Sequence, residues 1–252
     1  RDLRLHDHPA LARALREADL VWCVFILDRP LLEHLPRRDR RVEFIRESLV
    51  DLDRQIVALR RDPRTRTSSA GAHLIVRHGD ATREIARIAA VLAVDAVYTH
   101  HDDDPAALAR DARVAGALAQ QGQRFITAKD HVVFERDEIM TAAGTPYGVF
   151  TPYKTAWLKQ LHARPQVLGE SPSDSHGDRF APVPAALHSP WRGGAAVPAL
   201  DEFGFETSNL AELNLNPGTH GGEMLLDEFL ERIDDYGQTR DFPAKKGPSY
   251  LG

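Results

Sequence analysis

Apolar positions change their period along this chain of 252 residues. Leu20 to Leu27 is a continuous apolar run holding Val21, Val24 and Ile26, the pattern of a strand buried on both faces. Ile45, Leu49, Leu52, Ile56 and Leu59 then recur at helical spacing. Leu74-Ile75-Val76 is a short strand. Asp80 can cap the helix after it, which carries Ile85, Ile88, Ala89 and Leu92 on one face. Ala96-Val97-Tyr98 is the next strand. Pro105 suits the first turn of a helix bearing Leu108, Ala112, Ala115 and Leu118. Gly122 ends that helix, and Phe125-Ile126-Thr127 is a further strand.

This alternation over residues 1–130 predicts an α/β fold, a doubly wound, Rossmann-like parallel sheet with helices on both faces. Arg1 to Leu11 reads as a strand-to-helix turn and a helix, with no strand signal ahead of it. The first strand of such sheets is central. The expectation is therefore a sheet lacking its central strand, open between Leu20–Leu27 and Ala96–Tyr98. The absence of Met at position 1 adds the expectation that the natural chain begins earlier.

Asp62 to Ala72 is polar and turn-rich, hence a surface loop. Seven of the sixteen prolines fall between Pro165 and Pro217, which predicts an irregular interdomain connection over residues 131–220. From Glu223 the period is helical again, with Leu226, Phe229, Leu230 and Ile233 on one stripe. Residues 221–252 thus read as the start of an all-α domain.

Composition narrows the class. Hydrophobic residues make up 42% and charged residues 27%, as in an ordinary globular chain. No apolar run approaches the ~20 residues that span a bilayer. Cys23 is the single cysteine, so an intrachain disulfide is excluded, and its apolar setting marks a buried structural thiol. A reducing cytoplasm is the expected compartment. A net charge of -5 argues against a strong nucleic-acid binder made of these residues alone. Arg37-Arg38-Asp39-Arg40-Arg41 reads as a solvated helix start.

His100-His101-Asp102-Asp103-Asp104-Pro105 follows a strand and opens a helix, where open α/β sheets bind ligands. The residue types suit a metal, but adjacent side chains rarely converge on one ion, so no metal is assigned. Acidic residues also favour a helix start through the macrodipole. Arg110-Asp111 is read as two side chains pointing apart on a helix, each with its own structural partner. Trp157 reads as a packing residue and Trp191 as a loop anchor.

Several ordered motifs point to one family. The chain opens Arg1-Asp2-Leu3-Arg4-Leu5-His6-Asp7-His8-Pro9-Ala10-Leu11. Asp130-His131 leads through Glu138 to Thr141-Ala142-Ala143-Gly144-Thr145-Pro146-Tyr147. Val149-Phe150-Thr151-Pro152-Tyr153-Lys154 and Ala156-Trp157 follow. Beyond Tyr236 come Arg240-Asp241-Phe242-Pro243 and Gly247-Pro248-Ser249-Tyr250-Leu251-Gly252. Together these resemble the DNA photolyase and cryptochrome family, with His8 where an Asn is usual.

The resemblance implies a fragment of a deoxyribodipyrimidine photo-lyase, closest to bacterial enzymes that repair cyclobutane pyrimidine dimers with reduced flavin adenine dinucleotide (FAD). A cryptochrome photoreceptor and an isolated nucleotide-binding α/β module are the alternatives. Tyr236, Ser249 and Leu251 match FAD contacts, and Arg240 matches a residue that reaches the backbone of damaged DNA. Asp102 and Asp104 match acidic positions around an antenna chromophore. Ala106 and Ala107 stand where folate-binding members carry polar side chains, so a flavin or deazaflavin antenna is expected rather than a folate. Pro248 has no N–H and removes one phosphate contact. No residue is assigned as catalytic. The fragment is expected to be inactive alone, monomeric and not membrane-bound.

Overall fold

The computed structural model describes residues 2–60, 72–164, 178–213, 215–242 and 244–248. Helix α1 (Pro9–Glu17) starts with proline in its first turn, where the missing N–H costs nothing. It buries Ala10, Leu11, Ala14 and Leu15. Strand β1 (Val24–Asp28) is followed by the short helix α2 (Arg29–Leu32) and the long α3 (Arg40–Arg60). Strand β2 (Ile75–Gly79) leads into α4 (Ala81–Leu92), which Asp80 caps by accepting from Arg83 N–H. Strand β3 (Ala96–His100) leads into α5 (Pro105–Ala119), and β4 (Arg124–Ala128) closes the α/β unit. Beyond it lie α6 (Phe150–Ala163), several 3-10 turns, α7 (Thr219–Leu230) and α8 (Tyr236–Thr239).

The α/β class and parallel pairing are as the sequence predicts. β1 pairs with β2 in parallel, Val24 opposite Ile75, and β3 pairs with β4, Ala96 opposite Arg124. Among the described residues no ladder joins β1 to β3, so the strands form two separate pairs. Between them lies a cavity of about 970 Å³, lined by Trp22, Val24 and Ile26 from one side and Ala96 and Tyr98 from the other. Ile75 N–H donates to Cys23 C=O, and Arg124 N–H to Asp95 C=O. Backbone groups alternate sides along a strand, so those of Val24, Ile26, Ala96 and Tyr98 face away from their partner strands. This is the open slot expected from the sequence.

β1 begins at Val24, later than the apolar run suggests. Leu20 is exposed, and Val21 instead bridges to Phe180. Phe180 belongs to the proline-rich stretch, whose described residues lack long regular elements but are not detached. Phe180, Val197, Phe203 and Phe205 share the main core with Leu15, Leu49, Ile56 and Val76. Leu187 packs with Ile75 and Ile88. Buried Arg77 donates to the carbonyls of Val76 and Leu187, pinning the stretch to β2. Gly218 precedes α7 with φ +89, where a Cβ would stand 2.5 Å from an Asp51 oxygen. Only glycine fits there.

Candidate functional site

The first turn of α1, the end of β3 and the start of the segment after β4 meet at one edge of the β3–β4 pair. Arg4 is held by Asp130 through Nη2 at 2.6 Å and Nη1 at 3.2 Å. His100, 0% exposed, sits between Asp2 and Asp130 with Nδ1 at 2.5 and 3.4 Å from their carboxylates. Its Nε2 accepts from Ala10 N–H at 3.1 Å. The ring proton is therefore assigned to Nδ1, which donates to Asp2. His8 lies against His100, ring centroids 4.3 Å apart, and its Nδ1 accepts from Leu11 N–H at 3.1 Å. Burial, together with the His100 ring, pushes His8 down to about 4. Burial pushes Asp2 up, but hydrogen bonding to His100 outweighs it and holds the carboxyl well below its usual range.

Asp2, His8 and His100 place one ligand atom each within 4.8 Å of one another, a spacing a metal could use. The donor set argues otherwise. His100 Nε2 and His8 Nδ1 spend their lone pairs on α1, and His100 Nδ1 carries a proton. Arg4 adds a fixed cation 3.7 Å from Asp2. Sequence reading noticed His8 and His100 separately, but nothing in it brought them together.

The acidic run after β3 diverges. His101 bonds Glu135, Asp102 accepts from Asp104 N–H at 3.0 Å, and Asp103 lies 3.6 Å from Arg136. Asp104 caps α5, one oxygen accepting from Ala106 N–H at 2.9 Å and Ala107 N–H at 3.2 Å. Asp102 and Asp104 therefore both take part in ordering this loop.

Tyr236 starts α8, 39% exposed, with its ring edge-on to Phe229 at 5.7 Å. Arg240 stands 6.0 Å from the Tyr236 ring centroid, its side chain 56% exposed. Its acidic neighbour is Asp241 at 3.6 Å. Ser249 and Leu251 lie outside the described residues. The stripe is uncovered: Leu226 and Leu230 on α7 and Ile233 in the turn beyond it are all exposed.

Arg110 and Asp111 correct another expectation. Arg110 Nε and Nη2 reach Asp111 Oδ1 at 3.1 and 3.0 Å, because the long arginine stem folds back along the helix. Trp157 packs edge-on against Phe134, and Trp191 Nε1 donates to Val76 C=O. Arg41 pairs with Asp39 at the start of α3, and Arg38 with Glu206. Burial pushes the Cys23 thiol up to about 12, so it is no nucleophile at neutral pH.

The DNA photolyase family profile matches residues 1–172, more than half of the sequence. The chain belongs to that family. It is 29% identical over 252 residues to a deoxyribodipyrimidine photo-lyase of Synechococcus sp., covering 100% of this chain and 48% of that protein. A Halobacterium salinarum deoxyribodipyrimidine photo-lyase is 30% identical over 262 residues, covering 100% of this chain and 49% of the relative. This photolyase-family chain thus spans about half the length of these relatives. The fold is also that of a bacterial class III photolyase from Agrobacterium tumefaciens. The TM-score is 0.69 at 22% identity, over 99% of this chain and 47% of the other. Among the described residues no helix is long and apolar enough to cross a membrane.

Proposed function

We propose that residues 1–252 are part of a deoxyribodipyrimidine photo-lyase that repairs cyclobutane pyrimidine dimers in DNA with light. The observation that carries this reading is the alignment of the whole chain with two photo-lyases. Bound reduced FAD supplies the electron chemistry that splits the dimer. From this chain Tyr236, Ser249 and Leu251 would hold it. Tyr236 fits, since Phe229 fixes the ring while the residue stays partly open. Arg240, exposed and loosely paired, is a cation available to a DNA phosphate. The enzyme acts as a cytoplasmic monomer, and residues 1–252 alone are inactive.

At the other end, Asp102 and Asp104 would border an antenna chromophore of flavin or deazaflavin type. Both carboxylates already accept backbone N–H groups, which fixes where their remaining oxygens can act. Asp102→Ala should weaken a deazaflavin by roughly tenfold, one buried hydrogen bond being worth about 1–3 kcal/mol. Binding of methenyltetrahydrofolate at micromolar or tighter affinity would overturn the antenna assignment.

A second reading rests on a specific match. Cryptochrome-2 of Gallus gallus is 25% identical over 232 residues, covering 92% of this chain. Purifying the product of the intact gene and illuminating it with dimer-containing DNA decides between the readings. Bound flavin with light-dependent loss of dimers supports repair. Bound flavin without it supports a photoreceptor. A product that binds no flavin removes both and leaves a nucleotide-binding module.

A further inference from the structure

We propose that His8 is an acid-sensitive latch on α1: its neutral ring caps the helix, and protonation in mildly acidic solution releases the first turn. This goes beyond the repair reading and does not depend on it.

The first N–H groups of a helix have no partner within it. In α1 two of them find imidazole nitrogens. Leu11 N–H donates to His8 Nδ1 and Ala10 N–H to His100 Nε2, both at 3.1 Å. A ring nitrogen accepts only while it is unprotonated. α4 and α5 start with carboxyl groups in the same role, Asp80 and Asp104, and a carboxyl group keeps an acceptor oxygen in either protonation state. α1 alone of these three helices is capped by imidazole, whose ordinary value of about 6.5 lies near neutral pH.

Protonating His8 acts in three ways at once. It replaces the lone pair facing Leu11 with a second donor. It puts a positive charge at the positive end of the helix. It also places that charge 4.3 Å from the His100 ring. The charged groups around the pair are Asp2 and Asp130, which favour the proton, and Arg4, which opposes it. Burial joins the opposition, and the net direction for His8 is downward, to about 4. Released, the His8 ring binds protons with its ordinary value near 6.5. Opening of the first turn therefore rises roughly 20- to 30-fold between pH 7 and pH 5.

The test is amide exchange in the intact gene product, read for the peptide covering the start of α1 at pH 7 and pH 5. His8→Asn supplies an acceptor that does not titrate in this range. Each pH is compared between wild type and variant, so intrinsic exchange cancels. The wild-type to His8→Asn ratio of exchange rates at the start of α1 should rise roughly 20-fold from pH 7 to pH 5, while the same ratio at the starts of α4 and α5 stays constant. A rise of less than about fivefold overturns the proposal. An independent check needs no variant: the His8 ring proton followed by NMR should titrate near pH 4, and a midpoint above 6 overturns it.

Discussion

Supplying an apolar strand ahead of Arg1 should stabilise this molecule more than any single substitution. Asp2 bonds His100 at the end of β3, so a segment running directly into Asp2 from the other edge would lie parallel to β3, inside the slot. Waiting there are the N–H and C=O groups of Val24, Ile26, Ala96 and Tyr98, eight groups in all. Each hydrogen bond formed contributes about 0.5–1.5 kcal/mol net, which gives roughly 4–12 kcal/mol for the set. Burial of the strand's side chains in a cavity of about 970 Å³ adds to it. A typical domain's whole stability is only about 5–15 kcal/mol. The chain without the strand should therefore melt broadly and bind hydrophobic dyes.

The assay compares two extensions of equal length, one of five Val and Ile residues and one of five Gly and Ser residues. For a chain of this size each kcal/mol moves the Tm by about 2–4 °C, so even the lower bound predicts a rise of about 8 °C for the apolar extension. The Gly and Ser extension controls for the mere presence of added chain. The reasoning fails if the two melt within about 2 °C of each other, the least that one kcal/mol would produce. It also fails if the extended protein shows β1 paired directly with β3.

Three further outcomes are expected. Asp104→Ala should destabilise by about 1 kcal/mol in chemical denaturation through loss of the α5 cap, whatever it does to an antenna. Arg77→Met should cost about 1–3 kcal/mol, since the buried Leu187 carbonyl loses its donor while that of Val76 keeps Trp191; a change below about 1 kcal/mol would show that the proline-rich stretch is held by packing alone. For His8 the folded value of about 4 lies below the unfolded 6.5, so the unfolded chain binds the extra proton between them. That part of the stability is complete above about pH 6.5 and is lost as pH falls toward 4, by at most about 3 kcal/mol, measurable as a wild-type loss that His8→Asn lacks.

The strands and helices of residues 1–130 were legible because each announces itself locally. Continuous apolar runs mark β1 to β4, and Asp80 and Pro105 mark helix starts, with no distant partner needed. The proline-rich stretch was not legible in the same way. Without a regular backbone, Phe180, Leu187, Val197, Phe203 and Phe205 have no period to reveal that they are core residues. Their burial depends on docking against β1, β2 and α3, which local sequence does not encode. The start of β1 shows the same dependence, since Val21 bridges to Phe180 outside the ladder with β2.

The cluster at the edge of β3 shows what limits site reading more generally. His8 stood out as a departure from a motif and His100 as a member of an acidic run. Only the fold closes the 90-odd residues between them and turns both into acceptors for one helix. Side-chain chemistry alone would have favoured a metal for Asp2, His8 and His100. Their hydrogen bonds decide against it, because a nitrogen lone pair already accepting from a helix N–H cannot also coordinate an ion. Residue types at a site thus define a set of possible chemistries, and the neighbouring backbone donors select among them.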